Sequence, residues 1–193
     1  AQELTPAQVH MGHVTEGWFD TPDGIGLLPT AIAEAEIAIT HANLAAQQPD
    51  NLDWMKAHSL HVLQAVDASA VMEGPALGFG VGMGGGGVAK HIGLAAEAEG
   101  ATENIKAHAV HVASAAKNTS ARVAEIIANV AAIQAATSAA EAAPIVAQMQ
   151  QHADQLLNGA DANGDGDIGW QEGEGGLLVA AAHMQFMRDG ENL

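Results

Sequence analysis

The chain has 193 residues, a formal net charge of −17, only six Lys and Arg, and no cysteine. That excludes the basic footprint a nucleic-acid binder needs to meet phosphates, and an anionic membrane surface would repel it. It also excludes disulfides, thiolate metal sites and covalently attached haem, and no apolar run reaches the roughly 18 residues of a membrane span.

Thr5-Pro6 pairs an N-cap residue with a proline at the first helical position, and predicts a short helix through about Glu16. A turn-rich stretch follows from Gly17 to Gly26. Helices are then expected from Pro29 to Gln48 and from Leu52 to Met72, broken by Pro49-Asp50-Asn51 and ended by Gly74-Pro75. The glycine-rich segment 78–87 is expected as a loop or a poor first turn. Helical pattern resumes over Val88–Glu99 and again over Thr102–Ala136, with a candidate break at Asn118-Thr119-Ser120. Pro144–Asn158 and Gln171–Arg188 complete the set. No segment alternates as a strand does, so the expected fold class is all-α.

A repeat organises the chain. Shifted by fifty residues, 23–66 lies over 73–116 without a gap. His41-x-x-Leu44-Ala45-Ala46 falls on His91-x-x-Leu94-Ala95-Ala96, and Lys56-Ala57-His58-x-x-His61-Val62 falls on Lys106-Ala107-His108-x-x-His111-Val112. His-x-x-His-Val occurs a third time at His10–Val14, so eight of the ten histidines belong to the scheme. Each repeat unit has the length of one helical hairpin, which cannot bury its apolar face alone. The expected architecture is therefore a His-rich bundle over residues 1–140, built from units 23–72 and 73–122, with a smaller unit at 141–193 packed on it.

Height along the helices brings histidines together. His41 lies nine residues before the hairpin turn at residue 50 and His58 about as far after it, so at about 1.5 Å per residue they stand level. His61 is one turn further along the face of His58. The same arithmetic groups His91, His108 and His111, and the two hairpins can bring all six into one region, with His10 and His13 as additions. His152 and His183 stand outside the scheme and are expected to be ordinary surface or core residues.

Repeated imidazoles at these positions point to ligation. A di-iron carboxylate site is excluded, because none of the six has a glutamate three residues before it. Bis-histidine b-type haem is the leading expectation: aromatics are scarce, and Gly84 and Gly87 could leave a flat strip beside His91. A copper or zinc site is the rival, with His10-Met11 and His183-Met184-x-x-Met187 as support for copper.

The segment Asp161-Ala-Asn163-Gly-Asp165-Gly166-Asp167-Ile-Gly169-Trp-Gln-Glu172 places oxygen ligands at loop positions one, three and five, glycine at six and glutamate at twelve. It resembles the EF-hand calcium loop. The resemblance implies calcium held by Asp161, Asn163, Asp165, the Asp167 carbonyl and Glu172, and covers about residues 144–188. No second loop is found, which favours a structural calcium over a sensor.

The combined expectation is a calcium-stabilised electron-transfer protein with b-type haem and a redox partner protein. The alternatives are a copper or zinc protein, for delivery, storage or dicopper redox, and a calcium-ordered interaction scaffold. A redox carrier is favoured over an enzyme. The start Ala1-Gln2-Glu3, without methionine, suits removal of a signal peptide and a periplasmic or extracellular location.

Overall fold

A computed structural model describes residues 3–69 and 73–193. Seven α-helices pack as a bundle, and no strand occurs among the described residues. They are α1 (Pro6–Thr15), α2 (Leu27–Ala46), α3 (Leu52–Val66), α4 (Val81–Glu97), α5 (Glu103–Ala135), α6 (Ala139–Asn158) and α7 (Leu177–Glu191). None is long and apolar enough to cross a membrane.

Local chemistry fixes most of the boundaries. Thr5 and Gln8 form a reciprocal capping box at the start of α1, and Asn51 and Thr102 cap α3 and α5 through their side chains. Helix α3 ends at Val66, short of the expected Met72: Asp67 is extended and its carboxylate accepts the Ser69 N–H and hydroxyl, while residues 70–72 lie outside the described residues.

Further expectations need correction, among them the start of α6, which is Ala139, capped by Ser138, with Pro144 inside the helix. The 84–87 glycines lie inside α4, not in a loop before it, and the neighbouring helices leave no room for a side chain at Gly84, Gly85 or Gly87. A Cβ on Gly84 would stand 2.6 Å from the Ala31 Cβ of α2, and one on Gly87 would stand 2.9 Å from Leu27 Cδ2. Helix α5 runs through 118–120 without a break: Thr119 Oγ1 bonds the Ala116 carbonyl, and Asn118 reaches out to the 171–175 backbone. Helix α7 starts at Leu177 instead of Gln171, since residues 173–175 are drawn onto α5 by hydrogen bonds from Asn118 and Arg122.

Helix α2 pairs with α3 and α4 with α5; α1 lies on α4, α6 on α2 and α5, and α7 on α5. A single apolar core runs from Ala7 and Met11 of α1 to Met184 and Met187 of α7, so residues 141–193 and 1–140 share it. It is rich in alanine: Ala31, Ala35, Ala38, Ala42 and Ala45 line the buried face of α2. Small side chains bring helix axes close together, which leaves the larger histidines and tryptophans to the half-buried margins of the bundle.

Candidate metal centres

Nine of the ten histidines gather into three separate triads. The first is His10, His13 and His91; the second His41, His58 and His61; the third His108, His111 and His183. Each combines a His-x-x-His pair from one helix with a single histidine from a neighbour: α1 with α4, α3 with α2, α5 with α7. The i, i+3 spacing puts both members of a pair on one helical face, and the packing partner supplies the third.

The ring nitrogens converge. In the first triad, His91 Nδ1 lies 3.3 Å from Nδ1 of both His10 and His13. In the second, His41 Nδ1 lies 2.9 Å from His58 Nδ1 and 3.2 Å from His61 Nδ1. In the third, His183 Nδ1 lies 3.1 Å from His108 Nδ1 and 3.3 Å from His111 Nδ1. Three neutral imidazoles facing one point cannot all be satisfied by hydrogen bonds among themselves, because each Nδ1 offers either one proton or one lone pair. A cation at that point satisfies all three. With metal–nitrogen bonds of about 2.0–2.1 Å, a tetrahedral centre places its nitrogens about 3.3–3.4 Å apart, close to the observed separations.

The surroundings favour the neutral form of six of these nine imidazoles. His91, which is buried, is lowered to about 4 by burial first, then by His13, His10 and Lys90. Burial is also the main cause of the lowered values of His13, His41, His58, His111 and His183, with neighbouring triad histidines adding to it in every case. A neutral imidazole is the ligating form.

All three tryptophans of the chain sit against the triads. The Trp18 ring lies 4.4 Å from His91 and 4.9 Å from His13, Trp54 lies 4.2 Å from His58, and Trp170 stacks at 4.3 Å on His111. The Trp54 indole is fixed by its N–H, which donates to the Leu44 carbonyl at 2.6 Å. The tenth histidine, His152, contrasts with the other nine: it stands apart from the triads, with Asn129 Oδ1 at 2.9 Å and Glu125 Oε2 at 3.5 Å.

The grouping of His41, His58 and His61 matches the spacing argument, whereas His91 is not brought to His108 and His111. Equal height on a hairpin does not fix rotation about the helix axis, and α4 turns His91 toward α1 while α5 presents His108 and His111 to α7. His183, expected as a bystander, completes the third triad. Its signal in the sequence was an unpaired His-x-x-His lacking a third ligand, which only packing could supply. Met11, Met184 and Met187 are fully buried core residues, so these methionines pack the interior.

In the 161–172 loop, Asp161 Oδ1 accepts the backbone N–H groups of Gly164 at 2.7 Å and Asp165 at 3.2 Å, and Oδ2 accepts that of Gly166 at 2.9 Å. Asn163 and Asp165 each accept the N–H two residues on. Gly164 and Gly166 have φ of 78° and 95°, a conformation in which any other residue would be strained. Glu172 is exposed, and it is the buried Glu174, which sequence reasoning missed, whose carboxylate accepts the Gly169 N–H at 2.9 Å. The His triads are the groups of three or more converging His, Asp or Glu side chains among the described residues, and the loop carboxylates are not among them. Asn118 and Arg122 of α5 tie the end of the loop down through the backbone of residues 171–175.

No family model, curated protein or solved structure matches this chain.

Proposed function

We propose that this protein binds three transition-metal ions of the copper or zinc class, one at each histidine triad, and holds or hands on the ion. The observation that carries the reading is that in all three triads one Nδ1 lies 2.9–3.3 Å from the other two, with the three ligand atoms within 4.8 Å of one another. Imidazole nitrogen suits copper and zinc, burial favours the neutral form of six of the nine rings, and the net charge of −17 draws cations to the surface. Three similar centres, each with the same ligand set, suit capacity more than a single catalytic step.

Haem finds less support at these residues. Two axial nitrogens must stand about 4 Å apart with a flat macrocycle between them, whereas the triad nitrogens approach more closely. The glycine strip of α4 that could flank a ring is filled by Ala31 and Leu27 of α2.

A calcium ion in the 161–172 loop is a second, separate part of the proposal. It is favoured by the Asp161 carboxylate, which gathers three loop N–H groups around the position-one ligand. Asn163, Asp165, the Asp167 carbonyl and Glu172 would supply the remaining oxygens.

Equilibrium dialysis against copper and zinc tests the metal reading. Three ions per chain are expected for the wild type, and two for His41→Ala. Retention of three by that variant, or of none by the wild type, would overturn it.

A further inference from the structure

The triads share a feature that ligation alone does not require: a tryptophan against each, and no carboxylate in the ligand set. Resting on the metal-binding reading above, we infer that the three centres are built for monovalent copper, with Trp18, Trp54 and Trp170 closing the open side of each ion.

Donor number favours a singly charged ion. Each triad offers three neutral nitrogens, and no Asp, Glu or fourth His joins it among the described residues. Zinc completes a tetrahedron with a fourth ligand, commonly water, and cupric ion prefers four N or O donors in a tetragonal plane. Cuprous ion shares zinc's filled d shell but carries only one positive charge, and is content with three. Charge points the same way. A dication in a half-buried site calls for carboxylates, either bound to it or accepting the outer N–H of its histidines. Among the described residues, none of the nine triad histidines makes a hydrogen bond or ion pair with an Asp or Glu side chain; His152, outside the triads, has Glu125 beside it. Three neutral imidazoles compensate a single positive charge more readily than two.

The indoles add what the donors lack. An aromatic face attracts a cation through its quadrupole, most strongly when water is excluded, and it offers no lone pair to a fourth coordination position. The three tryptophans reach their triads by different routes. Trp18 follows the His-x-x-His pair of α1, Trp54 precedes that of α3, and Trp170 comes from the loop before α7. Three independent placements of the chain's only tryptophans against its three triads point to a shared task.

The test is an anaerobic titration of the full chain with Cu(I) against a chromophoric cuprous chelator, beside zinc and cupric titrations. Trp18→Leu, Trp54→Leu and Trp170→Leu are measured in parallel, with a Trp→Phe variant at each position and circular dichroism to verify folding. The wild type should bind three Cu(I), tighter than zinc, and quench its tryptophan fluorescence in proportion. Each Leu variant should weaken Cu(I) at one site by about tenfold, leave zinc affinity unchanged, and be partly rescued by Phe. Preference for zinc or cupric ion, or Leu variants with unaltered Cu(I) affinity, would overturn the inference while leaving the triads as metal sites. Failure to bind any of the three ions would remove the triads as sites altogether.

Discussion

Replacing His183 by alanine separates the triad account from one based on the sequence repeat, because His183 lies outside the repeat yet its Nδ1 is 3.1 Å from that of His108 and 3.3 Å from that of His111. Outer-shell partners of metal ligands are worth about 10–100-fold in affinity, and loss of one of only three ligands should cost more, emptying the third site at micromolar metal. The effect on stability follows by mass action. An ion present at 100 times its dissociation constant stabilises the native state by about 2.7 kcal/mol. For a chain of this size that corresponds to about 5–11 °C in melting temperature per occupied site. Differential scanning calorimetry with and without metal should therefore show His183→Ala losing about one third of the metal-dependent shift, while His152→Ala keeps all of it. Elemental analysis of the same samples should give two ions per chain and three, respectively. Three ions and an undiminished shift in His183→Ala would refute the triad reasoning.

Further outcomes are expected from other parts of the molecule. The metal-free protein should lose stability on acidification from about pH 6.5 to about 4. His91 is lowered to about 4 when folded and titrates near its ordinary 6.5 when unfolded, so the unfolded chain binds more protons across that window. Urea melts at stepped pH measure this; stability that rises as pH falls would contradict it. Excess EGTA should lower the melting temperature of calcium-loaded protein, and Asp161→Ala with Glu172→Ala should abolish the difference; an EGTA-indifferent wild type without calcium would exclude the loop site. Arg122→Met should cost several kcal/mol, since the buried guanidinium bonds the Gly173, Glu174 and Gly175 carbonyls and each orphaned group costs about 1–3 kcal/mol. The same variant should weaken the third metal site more than the first two, because Trp170 lies in the loop it anchors. Gly84→Leu should destabilise by more than 1–3 kcal/mol, roughly the usual cost of overpacking, given Ala31 Cβ at 2.6 Å from the added Cβ; an unchanged denaturation midpoint would show that the α2–α4 contact is looser than described.

Much of this was legible in the residues, and the remainder had physical reasons for being hidden. The helices announced themselves through caps such as Thr5-Pro6 and through the Pro49-Asp50-Asn51 break. The second triad could be located because its histidines flank one short turn, where chain geometry fixes height and the shared hairpin interface fixes rotation. The first and third triads join helices remote in sequence, α1 with α4 and α5 with α7. No spacing rule connects His10 to His91 across 81 residues, or His108 to His183 across 75. The glycines of α4 misled in a similar way. Their low helix propensity argued for a loop, but propensity yields when close helix packing leaves no room for a Cβ. The tryptophans gave no sign of their place beside the triads, because proximity to a histidine cluster is a tertiary property.

The most direct test of the central claim is the metal-to-protein ratio, counted by native mass spectrometry after anaerobic loading with Cu(I) and removal of the excess. Three copper ions per chain are predicted, filling without any requirement for haem or iron. A protein that takes up no copper or zinc, or one that instead acquires haem with a sharp Soret band, would contradict it.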